Sequence, residues 1–208
     1  MIHKFFPVGP VQCNCSVIGD EATHEAMVID PGGDVERILD VVAQHGLTVK
    51  QIVLTHAHID HVGGVMQLKK LTGAPLAMHP GDQPLLDMMP SQAAWLGMQP
   101  PEPVVVDRWL NDGDMVTVGG LTARVIHTPG HTEGGICLYF EAEGKLIAGD
   151  TLFAGSVGRT DLPGGNYEKL MASLHTRVMA LPDVVEVTCG HGPMTYIGVE
   201  RESNPFLQ

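Results

Sequence analysis

The sequence predicts an α/β layered domain. Short runs rich in β-branched residues alternate with segments of helical period, and glycine, proline and asparagine punctuate the junctions between them. The 208 residues contain no low-complexity tract and no solenoid period, which fits one domain, residues 1–208, with a sizeable core.

Taken in order, residues 2–7 and 16–18 read as short strands, and Ala26-Met27-Val28-Ile29 as a buried strand ending in the turn Asp30-Pro31-Gly32-Gly33. Asp34 is placed to cap a helix whose apolar residues Val35, Ile38, Leu39 and Val42 recur at i, i+3, i+4 and i+7, with Gly46 as its stop. Residues 51–55 form a compact strand, a histidine-rich loop follows, and a helix covers about 63–72. Residues 75–78 give another strand. The proline- and methionine-rich stretch 81–108 reads as a short helix plus a long loop, either a wall of a site or a surface excursion. Residues 115–118 and 121–127 form a hairpin across Gly119-Gly120, and residues 136–140 and 145–148 a second hairpin. Asn166 caps a helix over 167–180 whose apolar face is Leu170, Met171, Leu174 and Val178. Residues 184–188 are the last strong strand.

Bulk composition excludes several classes. A formal net charge of -12 repels phosphate backbones and argues against nucleic acid as a partner. No apolar run approaches the ~20 residues needed to span a bilayer, and the N-terminus lacks a secretory pattern, so the expectation is a cytoplasmic protein away from membranes. In that compartment Cys13, Cys15, Cys137 and Cys189 are expected to be reduced thiols.

The histidines are the unusual feature. The run His56-Ala57-His58-Ile59-Asp60-His61 packs four metal-competent side chains into six residues directly after a strand. Residues two apart in an extended or turning loop point the same way, so His56 and His58 can serve one ion while Asp60 and His61 reach another. Three more candidates, His131, Asp150 and His191, each follow a predicted strand and each follows a glycine, which lets a side chain be presented at a tight bend. His3, His24, His45, His79, His127 and His175 have no such setting and read as surface or supporting residues.

These segments carry a resemblance. Thr55-His56-Ala57-His58-Ile59-Asp60-His61, Pro129-Gly130-His131-Thr132, Gly149-Asp150-Thr151-Leu152-Phe153 and Gly190-His191-Gly192-Pro193 resemble, in order and spacing, the ligand motifs of the metallo-β-lactamase superfamily. Within it the chain resembles the short bacterial form of glyoxalase II, the hydroxyacylglutathione hydrolases, through Gly158-Arg159-Thr160-Asp161-Leu162-Pro163-Gly164-Gly165. The resemblance implies an αββα four-layer sandwich, two mixed β-sheets flanked by helices. It implies two divalent metal ions, zinc first, with iron or manganese as alternatives. His56, His58 and His131 would hold one ion, Asp60, His61 and His191 the other, and Asp150 would bridge them. Lactam hydrolysis is set aside, because metallo-β-lactamases lack the bridging aspartate and are exported.

Such a pair of ions, ~3.5–4 Å apart, shares one hydroxide at neutral pH. Charge counting leaves the centre net positive after Asp60, Asp150 and hydroxide are subtracted, ready for a negative tetrahedral intermediate. Asp60 and Asp150 are thus both ligands and catalytic groups. A thioester suits this chemistry, since a thiol of pKa ~8.5 departs as thiolate without a general acid. The expected reaction is hydrolysis of a small-molecule thioester such as S-lactoylglutathione, by a monomer or small homo-oligomer.

Arg159 matches a lysine that touches glutathione in longer glyoxalase II enzymes; it is a candidate substrate contact or a partner for Asp161. Two departures bear on the thiol carrier. Pro193 stands where the longer enzymes have tyrosine, and the chain ends at Gln208 without their C-terminal helical domain. The competing expectations are a persulfide dioxygenase with one iron on His56, His131 and Asp150, and a closed metal-binding module without catalysis.

Overall fold

Two six-stranded sheets lie face to face in the computed structural model, which describes residues 1–208. The first half of the chain supplies β1 (Ile2–Val8), β2 (Cys13–Gly19), β3 (Glu25–Ile29), helix α1 (Val35–Gln44), β4 (Thr48–Val53), the single turn α2 (Ile59–Val62), α3 (Val65–Thr72), β5 (Leu76–Met78), α4 (Gln83–Asp87), α5 (Met89–Trp95) and the short β6 (Arg108–Trp109). The second half supplies β7 (Met115–Val118), β8 (Leu121–His127), β9 (Ile136–Phe140), β10 (Lys145–Gly149), the small ribbon β11 (Leu152–Phe153) and β12 (Ser156–Val157), α6 (Tyr167–Ser173), β13 (Glu186–Cys189), β14 (Thr195–Tyr196) and α7 (Ile197–Ser203).

Sheet one runs β1-β2-β3-β4-β5-β6 and sheet two β14-β13-β10-β9-β8-β7. Both are mixed. In the first, β1 to β3 pair antiparallel and β3 to β6 parallel. In the second, β7 to β10 are antiparallel, β13 joins β10 in parallel, and β14 closes the edge antiparallel.

The period-two alternation of a strand sorts each sheet's side chains between two layers. Ile18, Met27, Ile29 and Val53 of sheet one meet Val125, Ile136, Leu138, Phe140 and Ile147 of sheet two. Their neighbours Val17, Ala26, Val28 and Ile52 face the other way, onto Val35, Ile38, Val65 and Leu68 of α1 and α3. Cys137, Tyr139, Leu146 and Ala148 likewise face Leu170, Leu174 and Val178. The result is the expected αββα order. All four cysteines are free and buried, and no helix is long and apolar enough to cross a membrane.

Several local expectations change. Asp34 sits at the N-cap position of α1 in the left-handed region (φ 48°) and makes no side-chain cap; its carboxylate accepts from the Gly9 amide at 2.9 Å instead. Asn166 does cap α6, accepting from the Lys169 amide at 2.9 Å. The helix expected over 167–180 is α-helical only to Ser173. It widens over Leu174–Val178 into a π-turn with Met179 N–H bonded to Leu174 C=O at 2.8 Å, and Leu170, Leu174 and Val178 stay fully buried. Stretch 81–108 holds two short helices, each opened by a proline in its first turn, and then extended chain. β2 begins three residues earlier than expected, and β14 and α7 extend the fold past the last predicted strand.

Candidate metal centre

The strand directions determine where the centre lies. Parallel pairing puts the carboxyl ends of β3 and β4 at one end of sheet one. β8, β10 and β13 all point to one end of sheet two. The loops leaving these strands meet. Ile136 N–H donates to Thr55 C=O at 2.9 Å, and Asn14 N–H to Gly190 C=O at 2.7 Å, so the two sheets are stitched together where the candidate ligands emerge.

All seven residues singled out in the sequence converge there. Nδ1 of His58 lies 3.1 Å from Nε2 of His56 and 3.0 Å from Nε2 of His131. Nε2 of His191 lies 3.1 Å from an Asp60 oxygen, and Nε2 of His61 is 3.7 Å from the same carboxylate. Asp150 stands between the groups: Oδ1 is 3.5 Å from His61 Nε2, while Oδ2 is 3.5 Å from His131 Nε2 and 3.7 Å from His191 Nε2. Three donor triads of metal-binding size result, namely His56/His58/His131, His56/His61/Asp150 and Asp60/His61/His191.

The donor set fits cations on chemical grounds. One imidazole nitrogen carries at most one proton, so His58 Nδ1 cannot hydrogen-bond fully to both facing nitrogens, and lone pairs are left opposed. His58 Nε2, His61 Nε2 and Asp150 Oδ1 are buried without a partner, a costly arrangement unless something else satisfies them. Burial, reinforced by the neighbouring imidazoles, holds His56 well below the usual histidine range and His58 down to about 3, which keeps both neutral as ligands must be. At His61 burial pulls the same way but is outweighed by Cys13, Asp150, Asp30 and Asp60, leaving the ring held above its ordinary value. The centre attracts positive charge.

A supporting layer fixes the rings. His61 Nδ1 faces the Asp30 carboxylate at 3.0 Å and the Cys13 sulfur at 3.3 Å. Asp30 also accepts from the Thr55 amide and hydroxyl at 2.7 and 2.6 Å, and holds a strained left-handed backbone, φ 53°. His131 Nδ1 donates to the Arg159 carbonyl at 2.8 Å, a contact that fixes its tautomer. Asp82, fully buried, accepts from Ala57 N–H and Thr132 Oγ1, both at 2.9 Å, and from Gly134 N–H. Gln92 accepts from Ile59 N–H at 2.9 Å, and Asn14 donates to the Cys189 and Gly192 carbonyls. Asp82, Gln92 and Asn14 carry no signal in the sequence, and Cys13 reads there only as a reduced thiol. Their partners are mostly backbone groups of distant loops, which leave no periodic signal.

One side of the centre is open. His56, His58, His61 and His131 are buried, but the His191 side chain remains 27% exposed. A cavity of about 410 Å³ opens onto His58, Asp60, His131, Asp150 and His191. Leu85, Gln92, Trp95 and Leu96 line it, so the 81–108 stretch supplies one wall; Leu162 and Pro163 also line it. Arg159 lines it too, with its guanidinium paired to both oxygens of Asp161 at 2.7 and 2.8 Å. The remaining histidines stay outside. His79 and His127 stack on each other 4.0 Å apart, and His3 lies on β1.

A fold of two stacked sheets with a His/Asp cluster at their shared end defines a class of metal-dependent, generally hydrolytic proteins. Residues 8–191 match the metallo-β-lactamase superfamily, and the chain belongs to that superfamily. It is 40% identical to hydroxyacylglutathione hydrolase GloC of Haemophilus influenzae, over 98% of this chain and 97% of that protein. Among solved structures it is similar to the BLEG-1 B3 metallo-β-lactamase (TM-score 0.93, 37% identity, 99% of both chains). It is also similar to TTHA1623 in a di-iron-bound form (TM-score 0.88, 38% identity, 97% of this chain and 98% of that one). ETHE1 from Myxococcus xanthus follows at TM-score 0.83 and 30% identity, over 99% of this chain and 84% of that one.

Proposed function

We propose that this chain is a two-metal hydrolase of small-molecule thioesters, similar to the hydroxyacylglutathione hydrolases. The observation that carries the reading is the placement of Asp150 between the two sets of ligand atoms, one oxygen toward His61 and the other toward His131 and His191. His56, His58 and His131 would hold one divalent ion, Asp60, His61 and His191 the second, with Asp150 shared. Zinc or iron fits the imidazole-carboxylate donors, and the di-iron form of one neighbour supports iron as readily. When bound, two such ions supply an activated water at neutral pH and positive charge against a developing oxyanion.

The residues of the chain do the rest. The buried imidazoles of His56 and His58 stay neutral and keep their lone pairs available, and Asp30, Asp82 and the Arg159 carbonyl hold the ligand loops in place. The open side at Asp60, Asp150 and His191 admits the carbonyl of a substrate lying in the cavity. This openness favours an enzyme over a closed binding module. The thiol product leaves as thiolate and takes its proton from solvent, so no side-chain acid is required.

The test is metal quantification with thioester hydrolysis in the wild type and in Asp150→Ala. Two ions per chain, with metal and activity lost together in the variant, is the expected result. One iron per chain, with oxygen consumed on a persulfide substrate, would establish the ETHE1-like alternative that the structural neighbour brings forward. A β-lactam belongs in the same assay because of the BLEG-1 likeness.

A further inference from the structure

Much of the cavity lining beside the metal centre is apolar. Trp95 and Leu96 end α5 and remain 59% and 52% exposed. Leu162 and Pro163 come from the loop beyond Asp161, and Leu85 and Ile59 line the same space. Isolated exposed apolar side chains are ordinary, but these border a single cavity that opens onto the reacting centre.

Charge points the same way. Apart from the histidines of the centre, Arg159 is the one cationic side chain lining the cavity, and its Nε and Nη2 edge is already paired with Asp161. A substrate carboxylate would compete with Asp161 for that guanidinium. The chain as a whole carries a formal net charge of -12, a field that slows the approach of anions.

From these observations we infer that the cleft takes thioesters whose acyl arm is apolar, alkyl or aryl, on a thiol carrier without anionic groups. Trp95 and Leu96 are the specificity-determining residues. This rests on the thioesterase reading and narrows it: an acyl arm lying against the Trp95, Leu96, Leu162 and Pro163 side chains gains roughly fourfold in binding for each methylene removed from water. A small hydroxyacyl group on an anionic tripeptide gains little apolar contact and meets a cation whose charge is already partly balanced by Asp161.

Matched substrates test the inference. The metal-loaded enzyme is assayed with phenylacetyl and lactoyl thioesters, each on N-acetylcysteamine and on glutathione. The expected result is a kcat/KM at least about tenfold higher for phenylacetyl on the neutral carrier than for S-lactoylglutathione, with the ratio shrinking several-fold in Trp95→Ala. A second readout needs no turnover. The chain has two tryptophans, so Trp109→Phe leaves Trp95 as sole reporter, and the inert S-benzyl thioether of N-acetylcysteamine should shift its emission to the blue. Preference for S-lactoylglutathione, a KM for it that rises in Arg159→Gln, and an unmoved emission would overturn the inference while sparing the thioesterase reading. A blue shift with no thioester hydrolysed would support the apolar cleft and remove the thioesterase.

Discussion

The carboxylate of Asp30 lies 3.0 Å from Nδ1 of His61, and both side chains are buried. The pair joins the end of β3 to the candidate ligand loop, and through Thr55 to the end of β4. An acceptor behind a ligand imidazole fixes its tautomer and raises its basicity, and its loss costs roughly 10–100-fold in metal affinity. Asp30→Asn places an amide N–H or a weaker acceptor opposite that ring. The expected outcome is a loss of affinity in that range for the ion on His61, with the other ion retained better, measured by chelator competition. Unchanged affinity for both ions would dismiss the orienting role.

Asp82 ties the His56 loop to the turn carrying His131. Asp82→Ala strips three donors of their acceptor in a site water does not reach. The expected cost is about 2–4 kcal/mol of unfolding free energy, read from urea denaturation. Asp82→Asn, which keeps part of the acceptor set, should recover some of it. A cost below about 0.5 kcal/mol for the alanine variant would show that the loops are held by other means.

Gly32 is packed so that any β-carbon would overlap the carbonyl oxygen of Asp60. That oxygen is backbone and cannot swing aside. Gly32→Ala is therefore expected to push the ligand turn outward, lowering thermal stability and metal content together. Gly73→Ala, where the left-handed φ of 71° is strained but a β-carbon meets nothing, should cost stability only. Equal metal retention in the two variants would refute the packing argument.

His3 gives a pH-dependence. Burial and the charge of Lys145 lower its pKa to about 4, against the opposing pull of Glu186. Between that value and the ordinary 6.5 the unfolded chain binds the proton and the folded chain does not. Stability is therefore complete above pH 6.5 and falls as pH drops toward 4, by on the order of 3 kcal/mol from this residue. Denaturant titrations at stepped pH should show a shallower acid-side loss in His3→Asn than in the wild type. Parallel curves would assign the loss to other groups.

The candidate site was far more legible in the sequence than its supports. His56, His58, Asp60 and His61 stand together because one turn presents them, and His131, Asp150 and His191 each follow a strand and a glycine. Asp82 reads in the sequence as a polar residue in a proline-rich stretch, since its three partners lie 25, 50 and 52 residues away. The four-layer order came from the resemblance, as alternation alone names a buried face without naming what covers it. Two-residue strands such as β6 and β14 are too short for any periodicity and exist because a neighbouring strand offers them partners. Asp34 leaves its own helix uncapped because its carboxylate finds the Gly9 amide across the loop, a partner 25 residues away.

Each prospective triad draws on both halves of the chain: His56 and His58 with His131, Asp60 and His61 with His191. Neither half owns a complete cradle. A pair of cations there would act as a rivet through the sandwich, so that losing metal loosens the joint between halves before it loosens either half within itself. Two separately expressed fragments, cut between β6 and β7, should then come together more tightly with metal than without it.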